Sequence, residues 1–249
     1  MAAFFYADGD AFLSSRSTPP RLTPLSASIP QFDPRSVPVI DTGLHLPAVP
    51  LTGQTPDAMR ARFAQPPHWQ PEVRTEASYA HRTPAHAAVL VPVVLRDELT
   101  VLLTLRTQHL TTHSGQVAFP GGKRDPEDQD AIATALREAR EEVGLDAQHV
   151  EVLGSLPVYE TGTAYIVTPV VALVRPGASL VPNPDEVADV FEVPLRFLLN
   201  PANHHRHRLS WQGMEREWFS MPYDDAGRER YIWGATAGML RNFYRFMAA

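Results

Sequence analysis

Arg137, Glu138, Glu141 and Glu142 stand within six positions of one another and carry the groups most capable of chemistry in this chain. On a helix, Glu138 lies one turn from both Glu141 and Glu142, so three carboxylates share a patch. Like charges at that spacing repel by roughly 0.2–0.5 kcal/mol per pair on an exposed helix. A hard divalent cation would offset that repulsion. Magnesium takes oxygen ligands, commonly one or two carboxylates together with phosphate oxygens of a substrate. Glu138, Glu141 and Glu142 are therefore candidate metal ligands and catalytic residues. Arg137, one turn ahead of Glu141, can hold that carboxylate in place. Acidic helix faces are ordinarily just solvated, and two features argue otherwise here. Gly121-Gly122 stands ahead of the acids and lets backbone approach a ligand closely. An apolar stripe beside the acids can dock the helix and fix them on a rigid support.

That stripe is Ile132, Ala135, Leu136, Ala139 and Val143, at three- and four-residue spacing. The sequence predicts a helix over 126–143, with Asp125 as N-cap, Pro126 at its first position and Gly144 as its stop. Upstream, 87–95 and 99–105 read as strands. Downstream, 150–156 and 164–174 read as strands, and 190–199 mixes a strand with a short helix. Residues 209–211 and 217–221 read as a hairpin around Gln212-Gly213, and 235–247 as a last amphipathic helix. A short helix starts at Thr55-Pro56, with Met59 and Phe63 on one side. Interleaved strands and helices place the chain in the α/β or α+β class.

Prolines crowd the segment from Thr18 to Pro50. Such a stretch cannot be helix and makes a poor central strand, so it is expected to be extended or disordered and to wrap the core. The expected division is a proline-rich extension over 1–54, a short helix and linker over 55–84, and the principal domain over 85–249.

The net charge is −6 and there is no cysteine. Disulfides, thiolate metal sites and a cysteine nucleophile are excluded. No basic stripe marks a nucleic-acid partner. No signal peptide is visible, and no apolar run approaches the length needed to cross a bilayer. The expectation is a soluble, cytoplasmic monomer or homodimer acting on a small molecule, without nucleic acid or membrane as partner. Arg106, Lys123 and Arg124 flank the glycine turn and are candidates for meeting phosphates. The run 204–208, His-His-Arg-His-Arg, reads as plain surface, and Trp211, Trp218 and Phe219 as hairpin core.

The run Arg137-Glu138-Ala139-Arg140-Glu141-Glu142-Val143-Gly144-Leu145 resembles the second half of the Nudix box, and Gly121-Gly122 its glycine start. Glu127 follows Gly121 at the usual interval, but the stretch from Glu127 to Arg137 is longer than in the general box. The lengthened form is similar to that of the coenzyme A pyrophosphatases. Their upstream signature resembles Leu102-Leu103-Thr104-Leu105-Arg106, Gly115 and Phe119-Pro120-Gly121-Gly122, with Thr107 and Thr111 departing from it. The runs Asn183-Pro184-Asp185-Glu186-Val187, Val190-Phe191, Val193-Pro194-Leu195 and Tyr231-Ile232-Trp233-Gly234 also resemble that group.

The resemblance covers about 85–247. It implies an α/β/α sandwich around a mixed sheet and a Mg2+- or Mn2+-dependent hydrolysis. The substrate it implies is coenzyme A or an acyl-coenzyme A, cleaved to 3′,5′-ADP and the phosphopantetheine half. Arg106, Gly121, Gly122 and Lys123 would bind it, with Arg106 or a neighbouring cation reading its 3′-phosphate. Two other readings are another Nudix substrate, such as ADP-ribose or a dinucleotide, and a domain that senses a nucleotide without cleaving it. Domains of the last kind typically lack box glutamates, and this chain keeps all three.

Overall fold

The structure is a computed structural model describing residues 32–76, 83–108, 115–211 and 214–249, with the side chains of 211 and 214 excepted. Its elements in order are β1 (Val39–Thr42), α1 (Pro56–Ala64), β2 (Ala85–Val94), β3 (Thr100–Arg106), β4 (Val117–Ala118), β5 (Gly121–Lys123), α2 (Ala131–Val143), β6 (Val150–Ser155), β7 (Tyr159–Glu160), β8 (Tyr165–Val174), β9 (Val187–Pro194), α3 (Leu195–Leu198), β10 (His205–Trp211), β11 (Met214–Asp225), β12 (Arg228–Trp233) and α4 (Gly234–Ala248).

A mixed sheet holds the centre, with the strand path β4-β3-β2-β8-β6. Strand β2 runs parallel to β8 and antiparallel to β3. Strands β5, β7 and β9 attach to β2, β8 and β3 respectively. Alternation along the buried strands sorts side chains onto two faces. Ala88 and Leu90 of β2, with Val170 and Ala172 of β8, meet Ala135, Ala139 and Val143 of α2. Val91 and Val93, with Val171 and Leu173, face a larger core that includes Met59 of α1 and Phe243 of α4. The sheet is therefore covered on both sides, as an α/β/α sandwich requires. Pro92 sits inside β2, where a missing N–H would normally break a ladder. On that edge β2 pairs with β5 through Ala87–Val89 and with β3 only from Val93, so Pro92 falls between partners.

A second, four-stranded sheet has the order β1-β10-β11-β12. Its outermost strand comes from the proline-rich segment. Val39 pairs with His207 and Thr42 with His205. An edge strand tolerates nearby proline because one side of it makes no ladder. The hairpin expected at 209–221 is longer than expected, and its turn residues Gln212-Gly213 lie outside the described residues. No helix among the described residues is long and apolar enough to cross a membrane.

The helix predicted over 126–143 starts five residues later. Its N-cap is Asp130, whose side chain accepts the Ala133 N–H at 2.9 Å. Residues 125–129 form a turn instead, closed by the Asp128 N–H donating to the Asp125 carbonyl. The Asp125-Pro126 signal was misleading because Asp128 and Arg124 tie that turn down with bonds of their own. The C-terminus ends as expected: Gly144 takes the left-handed conformation at φ 69°, and its N–H reaches the carbonyls of the last turn.

Candidate active site

Helix α2 and strand β5 are pressed together, and glycine makes this possible. A Cβ on Gly122 would lie 2.5 Å from Oε1 of Glu138, and one on Gly121 would lie 2.5 Å from the Ala88 carbonyl oxygen. Glycine at both positions lets a strand of backbone slide between β2 and the acidic face of α2. The Gly121 N–H then donates to Oε2 of Glu142 at 3.2 Å.

The three glutamates differ in environment. Glu142 is 2% exposed, and burial pushes its carboxyl up to about 7, although the Gly121 N–H and Arg106 pull the other way. Glu138 is half-buried and is also pushed up, chiefly by desolvation, with Arg137 opposing. Glu141 is the exposed member. Arg137 organises them: its Nη1 donates to Glu138 at 3.0 Å and to Glu141 at 2.9 Å. Its Nη2 donates to the Lys123 carbonyl at 3.1 Å, which ties α2 to β5. Its Nε and Nη2 also grip both oxygens of Asp128, at 3.1 and 2.9 Å. Asp128 is buried, and this guanidinium holds its carboxyl well below the usual carboxylate range. The interaction expected between Arg137 and Glu141 is present, and Asp128 is the partner that residue spacing did not indicate.

Arg106, from the end of β3, reaches Glu142 with Nη1 at 3.4 Å, while its buried Nε has no hydrogen-bond partner among the described residues. Lys123 is exposed at the end of β5. Arg124 is spent on the 125–129 turn, donating to the carbonyls of Asp128 and Gln129. Arg106, Gly121, Gly122 and Lys123 together line one side of a cavity of about 470 Å³. The glutamates do not line it; they stand against β5 from the α2 side.

A fourth carboxylate belongs to this neighbourhood. Glu186, in the loop before β9, adds negative field to both Glu138 and Glu142. Thr107 holds that loop: its N–H donates to the Glu186 carbonyl at 3.0 Å and its hydroxyl to the Asp185 carbonyl at 3.1 Å. The only sequence signal for Glu186 was its place in the 183–187 run. Thr111 lies outside the described residues.

The run 204–208 is surface only in part: Arg208 is exposed, His205 and Arg206 are half-buried, and two histidines are not surface at all. His204 is fully buried, bonded to the Leu198 carbonyl and to Arg241, and burial depresses its pKa to about 3. His207 is buried between the Val37 carbonyl and the Ser220 hydroxyl. His207 sits on the inward side of β10, while His204 precedes that strand, held by its N–H to the Pro201 carbonyl; a loop reading of 204–208 could not anticipate either. Trp218 and Phe219 are buried, as hairpin core should be. Among the described residues no three His, Asp or Glu side chains stand close enough to form a ready-made metal cage.

The NUDIX domain family matches residues 84–212. Proteins named "Uncharacterized Nudix hydrolase NudL" from Yersinia pestis and Yersinia pseudotuberculosis are each 41% identical over 192 residues, covering 77% of this chain and 94% of theirs. Among solved structures, a Nudix hydrolase from M. smegmatis, RenU, is 27% identical over 46% of this chain and 71% of its own, with a TM-score of 0.37. A MutT/nudix family protein from Enterococcus faecalis is 18% identical over 67% and 63%, with a TM-score of 0.41. The chain belongs to the Nudix family and is a pyrophosphohydrolase.

Proposed function

We propose that this enzyme hydrolyses the pyrophosphate linkage of coenzyme A or an acyl-coenzyme A, with Mg2+ or Mn2+, to 3′,5′-ADP and the corresponding 4′-phosphopantetheine. The observation that carries hydrolysis is the convergence of Glu138 and Glu142 on the Gly121-Gly122 backbone, at the wall of a cavity that also holds Arg106 and Lys123. The coenzyme A assignment rests on the signature that runs from Leu102 through Gly122.

The residues fit a divalent cation. The donors are all oxygen, which suits Mg2+ or Mn2+ over softer metals. A buried Glu142 facing the fields of Glu138 and Glu186 is a carboxylate that lacks enough positive charge. Glu138, Glu141 and Glu142 are the proposed ligands. A bound cation there neutralises phosphate oxygens and lowers the pKa of a water. The protein's own residues do the rest. Arg106 and Lys123 attract the anionic linkage, and the side-chain-free Gly121-Gly122 edge lets it lie close to backbone. Arg137 keeps Glu138 and Glu141 in register. Water attacks one phosphorus, the bridging oxygen leaves with the other, and Glu141 or Glu186 accepts the proton.

The test is product analysis after incubation with coenzyme A and magnesium. 3′,5′-ADP should appear, stop with EDTA and return with added magnesium or manganese. Activity that survives rigorous chelation removes the metal from the reading. A clear preference for ADP-ribose or a dinucleotide over coenzyme A removes the substrate while leaving pyrophosphate hydrolysis standing.

A further inference from the structure

The cavity beside the glycine edge is lined by two groups of different chemistry. One is the rim of Arg106 and Gly121–Lys123 already described. The other is Phe32, Arg216 and Trp233. All three of these lie outside the stretch matched by the family, 84–212. The catalytic rim lies within that stretch, and these three residues come from the segments that flank it, Trp233 from the 231–234 run.

In the second group the guanidinium carbon of Arg216 lies 5.8 Å from the ring centre of Phe32, 5.6 Å from that of Trp218 and 5.9 Å from that of Trp233. The rings support one another, with Phe32 and Trp218 centred 5.5 Å apart and Trp218 and Trp233 6.5 Å apart. Aromatic faces attract a guanidinium through its π-system and so leave its in-plane N–H groups directional. A planar, bidentate donor beside the half-buried rings of Phe32 and Trp233, both of which line the cavity, is a recognition surface for a flat base that carries a phosphate.

The two halves of the substrate proposed above differ in this respect. The phosphopantetheine arm beyond its phosphate is neutral, flexible and non-aromatic. The nucleoside half has a planar base and a phosphate monoester at the 3′ position. A space of about 470 Å³ is enough to receive one such half. Arg106, one of the cations expected to meet phosphates, stands at the catalytic rim, its Nη1 3.4 Å from Glu142. We infer that Phe32, Arg216 and Trp233 form the subsite for the nucleoside half, with Arg216 reading its 3′-phosphate. This rests on the coenzyme A reading.

The experiment measures binding of the product halves by calorimetry, in magnesium, to the wild type and to Arg216→Gln. Wild type should bind 3′,5′-ADP roughly ten- to hundred-fold more tightly than 5′-AMP, the usual weight of a charge-assisted contact. Arg216→Gln should erase that preference and leave binding of 4′-phosphopantetheine unchanged. Should that variant fail to fold, Arg216→Lys decides, since it keeps charge but loses the fork. A reduced preference in Arg216→Lys supports the subsite, and an undiminished one overturns it. A wild type with no preference, or an Arg216→Gln protein that keeps it, also overturns the subsite. Turnover of coenzyme A against ADP-ribose by the wild type is scored separately. If coenzyme A is cleaved while the preference survives in the variant, only the subsite falls. If coenzyme A is not cleaved, the substrate reading itself falls.

Discussion

Glu142 is the residue in which burial and charge conflict most sharply. Its folded-state pKa of about 7 lies above the ordinary glutamate value, so the native state without metal holds the proton more tightly than the unfolded chain. The stability this contributes is complete below about pH 4.5 and is lost as pH rises through about 7. Unfolding temperature in EDTA, followed from pH 5 to 8, should therefore fall for wild type relative to Glu142→Gln, by the equivalent of about 2–4 kcal/mol across that range. Comparison with the variant is needed because buried His204 acts in the opposite sense as pH falls. Parallel curves would mean that Glu142 is already neutralised by something other than a proton. Turnover of the variant in magnesium should drop by orders of magnitude. Gly122 is the second sensitive point. Gly122→Ala places a methyl where the Glu138 carboxylate now lies, so activity should collapse while the fold persists. A normal rate in Gly122→Ala would show that Glu138 can be moved without consequence.

Helix α2 does its work through ties at both ends. Its C-terminus was readable from Gly144 and its core face from the spacing of Ala135, Ala139 and Val143. Its start was not, because Asp125-Pro126 and Asp130 are both good caps, and the choice depends on Asp128 being taken by Arg137. Short strands escaped for a similar reason. β5 is glycine-rich and has no alternation to read, so it looked like a turn until β2 supplied its partner. β1 was hidden among prolines that an edge strand tolerates. The second group lining the cavity was invisible because Phe32, Arg216 and Trp233 share no spacing. The tie through Asp128 can be tested by Asp128→Asn. One of Arg137's carboxylate partners becomes neutral, so stability should drop by about 1–3 kcal/mol. Turnover should drop with it as Glu138 and Glu141 lose their shared anchor. Unaltered kinetics in a destabilised Asp128→Asn protein would confine Asp128 to a structural role.

Across the molecule, the described part of the proline-rich segment, 32–54, is fastened at several points. The Tyr244 hydroxyl donates to the Pro47 carbonyl at 2.7 Å, the Val49 N–H to the Leu199 carbonyl, and β1 completes the second sheet. Val37 and Val49 are buried. A chain beginning at residue 55 should unfold at least about 5 °C below the full protein, the equivalent of roughly 2 kcal/mol at this size. It should also lose nucleotide affinity with Phe32. An unchanged melting curve would show that these contacts add nothing to the fold.

The parallel ladder of β2 and β8 joins residues about eighty positions apart, from Ala85 with Tyr165 to Val94 with Val174. Everything that forms the glutamate face, from β5 through α2, is encoded inside that loop. Closing a loop of this length carries an entropic cost before any contact repays it, and non-local pairing of this kind slows folding. Helix α2 can form early from local contacts, but its apolar stripe has no complete floor until Val170 and Ala172 arrive beside Leu90. The catalytic face therefore gains its complete floor only once that ladder has closed.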